Sequence, residues 1–396
     1  MMNALNARLD TIIQPALNMI APAVTLAVMY RGETIIHRAW GVVDPRSLDM
    51  PVTVETRFDL ASLTKLYTTT ALLVLLTHKN ITLTTPLVDL LPEFGEVNPR
   101  HIDGGQDPHT KEQLPVPDDL KGQTVNPVGV TLRHLLSHTA GLPPWRDIYS
   151  VLPVPAPPDQ PESLNANQRW QAALAQLVQL PFVDHIGSSV RYSDVGLMLL
   201  GAVIARLADM DLARAVQTYV LQPAQLHKTG FNPMREMGID RYQIVPTEFD
   251  ATWRKRRVWG EVHDENACGL GGIAGHAGLF ATALDVARFG ATWLERSVFD
   301  MDSTIYASAI TEQAVTGAER RGLGWMLPSY ENSSAGDRMS RSAYGHTGFT
   351  GTSLWIDPVH ECVVTLLTNR VYVGRDVPGI HALRRAVHDA VMEAIV

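Results

Sequence analysis

The stretch F-D-L-A-S-L-T-K at residues 58–65 leads directly into an apolar run that extends to Leu76. Within this stretch, Ser62 and Lys65 are three residues apart, a spacing that places both on one face of a helix. The run from Leu66 to Leu76 is apolar on every side, which predicts a helix in the protein core. A lysine at the start of a core helix costs free energy unless it is paired or neutral, and desolvation favours the neutral amine.

A neutral Lys65 amine beside the Ser62 hydroxyl is an arrangement that activates serine as a nucleophile. This is also the only Ser-x-x-Lys in the chain. The alternative is structural, because a serine before a helix often serves only as the N-cap of that helix. The stretch therefore offers Ser62 as a candidate nucleophile and Lys65 as its candidate base.

The composition excludes several classes of protein. Of the 396 residues, 45% are hydrophobic and 19% are charged, which is typical of a folded globular protein. The net charge is −8, and an acidic chain is poorly suited to nucleic acid as its main partner. Cys268 and Cys362 are the only cysteines, so the sequence predicts neither a disulfide framework nor a zinc-finger site.

The N-terminal segment does not have the pattern of a signal peptide. Residues 1–21 lack a basic leader and an uninterrupted hydrophobic core, and their apolar residues fall at helical spacing. No segment approaches the length of apolar sequence that spans a membrane. We therefore expect a cytoplasmic protein without a membrane span, the alternative being that a leader was trimmed from the sequence. The oligomeric state is left open.

Short β-rich runs lie near both ends of the chain. Residues 22–30 and 34–41 flank Arg31-Gly32-Glu33 and predict a β-hairpin. Further strands are predicted towards the other end, before a terminal helix, and helical patterns fill most of the middle. The strands are at 323–327, 353–356 and 362–368, and the helices are near 62–79, 131–138, 166–180, 193–209, 211–221, 283–296 and 381–396.

This order predicts an α+β fold, with an antiparallel sheet built from both chain ends, flanking helices and a helical insertion. The sheet and terminal helices would form one subdomain, from 1–61 and 322–396, and residues 62–321 a mainly helical one. Long loops rich in proline, glycine or polar residues are expected near 95–127 and 143–161. Loops of this length are usually functional, and the cleft between two subdomains is a favoured ligand site.

A second motif, Tyr192-Ser193-Asp194, opens one of the helical segments. Its phenol is placed at the junction of a loop and a helix, where it could exchange a proton with a nearby lysine. The alternative is that Ser193 or Asp194 only caps the helix. We therefore interpret Tyr192 as a candidate partner of Lys65.

A third motif, His346-Thr347-Gly348, precedes a predicted strand. Glycine in this position lets a ligand approach the backbone closely. The backbone N–H that follows, that of Phe349, could form an oxyanion hole together with the N–H of Ser62. These residues are candidates for substrate and oxyanion binding.

In this order and at these intervals, the three motifs resemble the signature motifs of the serine β-lactamase-like superfamily. The most similar branch contains class C β-lactamases, DD-peptidases and family VIII-type esterases. The stretches T-L-R-H-L-L-S-H-T-A-G-L-P at 131–143, G-E-V-H-D-E-N-A at 260–267 and G-G-I-A-G-H-A-G-L-F at 271–280 extend the resemblance over much of the chain.

The resemblance implies a β-lactamase/transpeptidase-like fold and a serine hydrolase, related to penicillin-binding proteins, that acts through an acyl-enzyme. Ser62 would be the nucleophile, and Lys65 with Tyr192 would relay its proton. The backbone amides of Ser62 and Phe349 would stabilise the oxyanion, and His346 with Asp194 would shape the site. No cofactor is implied.

Two positions depart from the family pattern. The second motif usually ends in asparagine and here ends in Asp194, and the third usually begins with lysine and here begins with His346. An unperturbed histidine, with a pKa of about 6.5, is mostly neutral at pH 7. Esters or small amides are therefore the expected substrates. The alternatives are β-lactamase or D-amino-acid/DD-peptidase activity, and a non-catalytic sensor of cell-wall fragments or peptides.

The cluster His263-Asp264-Glu265 with His276 contains residue types that bind metals. The spacing does not match a helical His-x-x-x-His pair, so we predict no metal site. We expect instead a polar loop that lines the cleft, with His263 among the substrate-binding residues. The alternative for residues 269–278 is a tight, glycine-enabled crossing of the chain.

Overall fold

A computed structural model describes residues 2–46, 48–296 and 298–396. Nine strands of these residues form one antiparallel sheet in the order β11-β12-β13-β14-β15-β16-β1-β2-β3, and the other strands form small two- and three-stranded sheets. The strands are β1 (Ala23–Tyr30), β2 (Glu33–Asp44), β3 (Leu48–Pro51), β4 (Phe58–Asp59), β5 (Arg100–His101), β6 (Thr124–Val125), β7 (Gly230–Phe231), β8 (Phe249–Asp250), β9 (Arg256–Arg257), β10 (Leu279–Ala281), β11 (Ala314–Thr316), β12 (Glu319–Arg321), β13 (Met326–Leu327), β14 (Tyr344–Thr347), β15 (Ser353–Asp357) and β16 (Cys362–Thr368).

The centre of the sheet joins the two ends of the chain. β1 pairs with β16, so that Leu26 lies opposite Leu366, and β1 also forms the predicted hairpin with β2. All seven residues of β16 are buried, because helices cover both faces of the sheet at this point. The predicted α+β architecture, with an antiparallel sheet built from both chain ends, is confirmed.

Helices flank the sheet on both sides. Alternate residues of β1 face opposite layers: Val24 and Leu26 belong to one core with α1 and α11, and Ala23 and Ala27 to the other, with α2, α6 and α9. The helices are α1 (Met2–Met19), α2 (Thr64–Lys79), α3 (Leu87–Leu90), α4 (Leu132–Leu136), α5 (Ala166–Leu177), α6 (Asp194–Ala208), α7 (Leu212–Val216), α8 (Glu265–Gly269), α9 (Ala283–Glu295), α10 (Ser303–Ala309) and α11 (Ile380–Ile395).

The apolar helix that follows the Ser62 motif is buried on every side, as its sequence predicts. Residues 64–76 of α2 are all buried, and α2 packs against α6. The helix ends at Asn80, whose left-handed backbone (φ 53°) lets its N–H bond to the carbonyls of Leu76 and Thr77. Lys65, in the first turn of this helix, is therefore enclosed by the core.

The short strands β11 and β12 belong to the large sheet, although the sequence places them in the helical part of the chain. Each has three residues, too few for an alternating pattern to be visible in the sequence. The division into subdomains at 61/62 and 321/322 stays a prediction. The two predicted loops, near 95–127 and 143–161, contain only single turns and two-residue strands.

Candidate active site

Ser62 lies in a single 3₁₀ turn, Ala61–Leu63, directly before α2. Three hydrogen bonds hold the backbone that leads into this turn. The Asp59 carboxylate accepts the N–H of Ala61 at 2.8 Å, and the hydroxyls of Thr350 and Thr352 donate to the carbonyls of Asp59 and Leu60 at 2.8 and 3.0 Å. The loop after the third motif therefore supports the position of the first motif.

Gly348 is the residue that allows this close approach. A Cβ atom on Gly348 would lie 2.1 Å from the Thr352 Oγ1 atom and 2.7 Å from the Leu60 carbonyl oxygen. Any other residue here would push the loop after β14 away from the Ser62 turn. The glycine predicted to let a ligand approach the backbone thus also lets two parts of the chain approach each other.

The Lys65 ammonium group is the centre of the polar contacts around Ser62. Its Nζ atom donates to Ser62 Oγ at 2.8 Å and to the His276 carbonyl at 3.1 Å, and lies 2.7 Å from Asp194 Oδ1. Only 1% of the Lys65 side chain is exposed, whereas Asp194 retains 21%. Residues from three distant segments thus meet at one buried amine.

The charge of Lys65 differs from the expectation based on its own segment. Burial acts to lower the pKa of Lys65, but the charge of Asp194 and the side chain of Tyr192 outweigh it, so the pKa lies above its usual value. The neutral amine that desolvation alone predicts is therefore not the state of the free protein. A charged Lys65 donates to the serine hydroxyl and has no lone pair with which to accept its proton.

Tyr192 is held at the start of α6 by the predicted N-cap. The Ser193 hydroxyl accepts the N–H of Gly196 at 3.1 Å, and the Ser193 N–H donates to Nδ1 of His138 at 3.1 Å. The ring of His138 lies 4.7 Å from that of Tyr192, measured between centroids. Ser193 is thus the capping residue, which leaves Tyr192 and Asp194 on either side of it facing the cleft.

Lys65 Nζ lies 4.9 Å from the centroid of the Tyr192 ring, and the guanidinium carbon of Arg321 lies 5.1 Å from it. His346 is also close, at 5.8 Å between ring centroids. Burial, reinforced by the charges of Arg321 and Lys65, holds the pKa of His346 well below its usual value. The third motif therefore places a neutral imidazole where the family pattern has a cation.

A cavity of about 550 Å³ brings these residues together. Both long loops reach it, with Pro108 and His109 from the first and Pro144 and Trp145 from the second. Every residue predicted to belong to the site lines this cleft except Lys65, which lies beneath it. The lining includes Ser62, Tyr192, Asp194, His263, His346, Thr347, Gly348 and Phe349.

His263 lies in the wall of the cleft. Its N–H donates to Asp59 Oδ2 at 2.6 Å, and its ring stacks on that of Phe349 at 5.6 Å between centroids. Burial lowers the pKa of His263 to about 4, so it is uncharged at neutral pH. Its predicted role in substrate binding remains a proposal.

Asp264 and His276 form a pair beside Lys65. His276 Nε2 lies 2.8 Å from Asp264 Oδ1. Burial acts to raise the pKa of Asp264, but His276 outweighs it and holds that pKa well below its usual range. Asp194, Asp264 and His276 offer ligand atoms within 4.8 Å of one another. The Lys65 ammonium already pairs with the Asp194 carboxylate, so this cluster contains a cation of its own. The predicted absence of a metal stays a prediction.

Sequence reasoning did not identify two residues that contact Tyr192. His138 falls within the 131–143 stretch of the family resemblance, which was a usable signal. Arg321 is the second residue of an Arg-Arg pair on a three-residue strand, and no pattern in the sequence distinguishes it from Arg320. Only the pairing of β12 with β13 places it at the cleft.

Known proteins are similar to this chain over most of its length. Residues 9–389 match the family model described as Beta-lactamase. A putative D-alanyl-D-alanine carboxypeptidase of Salmonella agona (strain SL483) is 30% identical over 398 residues, covering 92% of this chain and 82% of the relative. The chain therefore belongs to the β-lactamase family.

Solved structures show the same fold over the whole chain. The hydrolase EstCE1, described as having promiscuous acyltransferase activity, aligns with a TM-score of 0.69 and 21% identity over 99% of both chains. The D-amino acid amidase from Ochrobactrum anthropi SV3 aligns with a TM-score of 0.68 and 17% identity, also over 99% of both chains. The predicted superfamily and fold are confirmed, and the protein is a hydrolase of the serine β-lactamase family.

No helix in residues 2–46, 48–296 and 298–396 is both long and apolar enough to cross a membrane. The cytoplasmic location stays a prediction, and the oligomeric state is not established.

Proposed function

We propose that this hydrolase acts through an acyl-enzyme on esters or small amides, with Ser62 as the nucleophile. The observation that carries the proposal is the 2.8 Å hydrogen bond from Lys65 Nζ to Ser62 Oγ at the base of a cleft that Tyr192 also lines. A buried lysine bound to a serine at the base of a cleft is an arrangement for nucleophilic catalysis.

The charge of Lys65 assigns the proton transfer to Tyr192. Because Lys65 is paired with Asp194 and has no free lone pair, we assign the acceptance of the Ser62 proton to the Tyr192 oxygen, whose ring lies 4.9 Å from the ammonium. The serine oxygen then bonds to the substrate carbonyl carbon, and Tyr192 returns the proton to the leaving oxygen or nitrogen. In deacylation, water gives a proton to Tyr192 and attacks the acyl carbon, and Tyr192 returns the proton to the Ser62 oxygen as the acyl group leaves.

The oxyanion of each tetrahedral intermediate would be bound by the N–H groups of Ser62 and Phe349. Both residues line the cleft, and the hydrogen bonds from Thr350 and Thr352 fix the two segments relative to each other. Donors held in place before the reaction stabilise the developing negative charge without reorganisation.

Uncharged esters are the substrates that the cleft favours next to Ser62. Asp194 and the neutral His346, the two residues that depart from the family pattern, supply no cation themselves to a substrate carboxylate. Losing one charge-assisted hydrogen bond costs a carboxylate-bearing substrate about 1.5–3 kcal/mol. An uncharged ester has no carboxylate and therefore loses no such hydrogen bond when the cation is absent.

A second candidate is hydrolysis of carboxylate-bearing amides or peptides, as in a carboxypeptidase. Arg384 lines the cleft, is buried, and donates to the carbonyls of Gly348 and Thr352 at 2.7 and 2.8 Å without a carboxylate partner in the described residues. A nearly buried guanidinium without a counter-ion could receive a substrate carboxylate. The putative D-alanyl-D-alanine carboxypeptidase relative supports this second candidate.

The experiment compares p-nitrophenyl butyrate, nitrocefin, a D-amino-acid amide and a D-alanyl-D-alanine peptide as substrates. We expect p-nitrophenyl butyrate to have the highest kcat/KM and Ser62→Ala to abolish every activity while the melting temperature is retained. Ser163→Ala, at an exposed serine outside the cleft, is the control and should be fully active.

A faster turnover of the peptide would select the second candidate, and a faster turnover of nitrocefin would make the chain a β-lactamase. If an uncharged fluorophosphonate does not label Ser62, the chain is a non-catalytic sensor and the proposal is wrong.

A further inference from the structure

Arg321 is a cleft residue to which neither the sequence nor the family resemblance assigns a role. It ends β12, and its side chain is only 8% exposed. Its guanidinium carbon lies 5.1 Å from the centroid of the Tyr192 ring, within the range of a cation–π contact. Within residues 2–46, 48–296 and 298–396, its only hydrogen-bond acceptor is Glu319 Oε2, at 3.0 Å.

The Arg321–Glu319 ion pair leaves much of the arginine charge available to the cleft. Glu319 is 55% exposed, and an exposed carboxylate in water attracts a cation only weakly. The nearly buried guanidinium is less screened on the side that faces Tyr192. Arg321 therefore acts on the ring as a permanent positive charge.

This charge lies where the third motif lacks one. His346 lies on β14, is neutral and contacts the Tyr192 ring. Arg321 contacts the same Tyr192 ring from β12, and β13 lies between these two strands in the sheet. Proton loss from a phenol delocalises negative charge into its ring, and a cation at the ring stabilises that charge. The permanent cation near Tyr192 is therefore supplied by β12, two strands away in the sheet from the third motif on β14.

We propose that Arg321 is a positioning residue that takes over the permanent positive charge absent from His346 and stabilises the ionised form of Tyr192. The inference rests on the proposed function, because it concerns the group that accepts the Ser62 proton. In the transfer itself, the Ser62 proton passes to the Tyr192 oxygen while the serine oxygen bonds to the substrate, and Arg321 exchanges no proton.

The ionisable groups around Tyr192 come from five segments, and any change in its proton transfer reflects all of them. Lys65 and Arg321 are cations, Asp194 is an anion paired with Lys65, and Glu319 is the exposed partner of Arg321. Two histidines complete the set, and the pKa values of both are held low by burial and by these cations. They are His138 and His346.

The test measures the rate at which an uncharged fluorophosphonate labels Ser62 between pH 5 and 9, since this probe carries no carboxylate that Arg321 could bind. Arg321→Met should slow labelling at pH 7 by about tenfold or more and shift the acid limb of the profile upwards by about one pH unit. Arg321→Lys should restore most of the rate because it restores the charge.

Arg320→Met is the matched control. Arg320 is the adjacent residue on β12, is not a cleft residue and pairs with Glu312 at 2.6 Å, so its replacement should leave the labelling profile unchanged. Glu319→Gln tests the same idea while keeping the Arg321 guanidinium, since removal of the neutralising carboxylate should shift the acid limb downwards. This second variant decides the question if Arg321→Met does not fold.

An unchanged labelling profile in Arg321→Met, or in Glu319→Gln if the former is unfolded, would overturn the inference. A rise in KM confined to carboxylate-bearing substrates, with labelling unchanged, would also overturn it and make Arg321 a substrate-binding residue. Failure of the wild-type protein to label would instead contradict the proposed function, so the two failures are distinguishable.

Discussion

The Lys65 ammonium lies 2.7 Å from the Asp194 carboxylate, at the position where the family pattern has asparagine. The ion pair is nearly buried on the lysine side, and breaking such a pair leaves an uncompensated charge in the protein interior. Asp194 therefore sets the protonation of the amine that contacts the nucleophile. The departure in the second motif changes the chemistry of the first.

Asp194→Asn should lower the pKa of Lys65, because the carboxylate that raises it is removed and the opposing effect of burial remains. The measurement is the pH titration of the ¹³Cε resonance of Lys65 in lysine-labelled protein, assigned with Lys65→Met. Asp209→Asn, at an exposed aspartate at the end of the same helix, should leave that resonance unchanged. A Lys65 titration that is the same in Asp194→Asn and wild type would show that the ion pair does not determine the charge.

Lys65→Ala and Tyr192→Phe should each reduce kcat by orders of magnitude, and the double variant should lose little more. Lys65 donates to the Ser62 hydroxyl whose proton passes to Tyr192, so both residues act on one proton transfer and the effects of removing them are not additive. Steady-state kinetics with p-nitrophenyl butyrate would measure the three variants. Losses that multiply in the double variant would contradict a shared proton path.

Lowering the pH from 7 to 6 should leave the ratio of ester to nitrocefin turnover unchanged. A histidine with its ordinary pKa of about 6.5 would gain charge in this range and favour carboxylate-bearing substrates, but burial keeps the pKa of His346 well below it. His346→Lys should narrow the ratio in favour of nitrocefin, because it introduces a cation. A ratio that changes steeply between pH 7 and 6 in the wild type, but not in His346→Gln, would show that His346 titrates there.

Chelators should leave the activity unchanged, because the proposed proton path contains no Lewis acid and Lys65 occupies the carboxylate that a metal would need. The measurement is ester hydrolysis before and after dialysis against EDTA. Inactivation by EDTA that Zn²⁺ reverses would contradict this prediction and identify Asp194, Asp264 and His276 as metal ligands.

The folded state should lose stability as the pH falls from about 6.5 towards 4. His388 is a buried residue of α11. Its Nδ1–H donates to the Ser334 carbonyl at 2.8 Å, its Nε2 lies 3.4 Å from Ser353 Oγ, and burial lowers its pKa to about 4. A histidine whose pKa is lower in the folded state binds protons preferentially in the unfolded state, so acid favours unfolding.

For His388 alone this shift corresponds to about 3 kcal/mol over the range. Urea unfolding at pH 7 and pH 4.5 would measure the loss, and His388→Gln should reduce its pH dependence. His227→Gln, at an exposed histidine, should leave the pH dependence as in the wild type. Equal pH dependence in His388→Gln and wild type would contradict this assignment.

The sequence alone determined the segments whose signals are local. The 58–65 stretch, Tyr192 and the His346 motif were recognisable from a few adjacent residues, and β1, β2, β15, β16 and the long helices from their apolar patterns. Such features depend on residues within one or two turns of each other, so periodicity and capping reveal them. The very short strands β11 and β12 have too few residues for that and were missed.

Only the tertiary structure decided the electrostatics of the site. The sequence predicted a neutral Lys65 because burial was the only effect visible in its own segment, whereas the fold brings Asp194 to it from a helix more than a hundred residues later. Arg321 reaches Tyr192 only through strand pairing. Charge interactions depend on distance and on exposure to water, and neither is defined until the chain has folded.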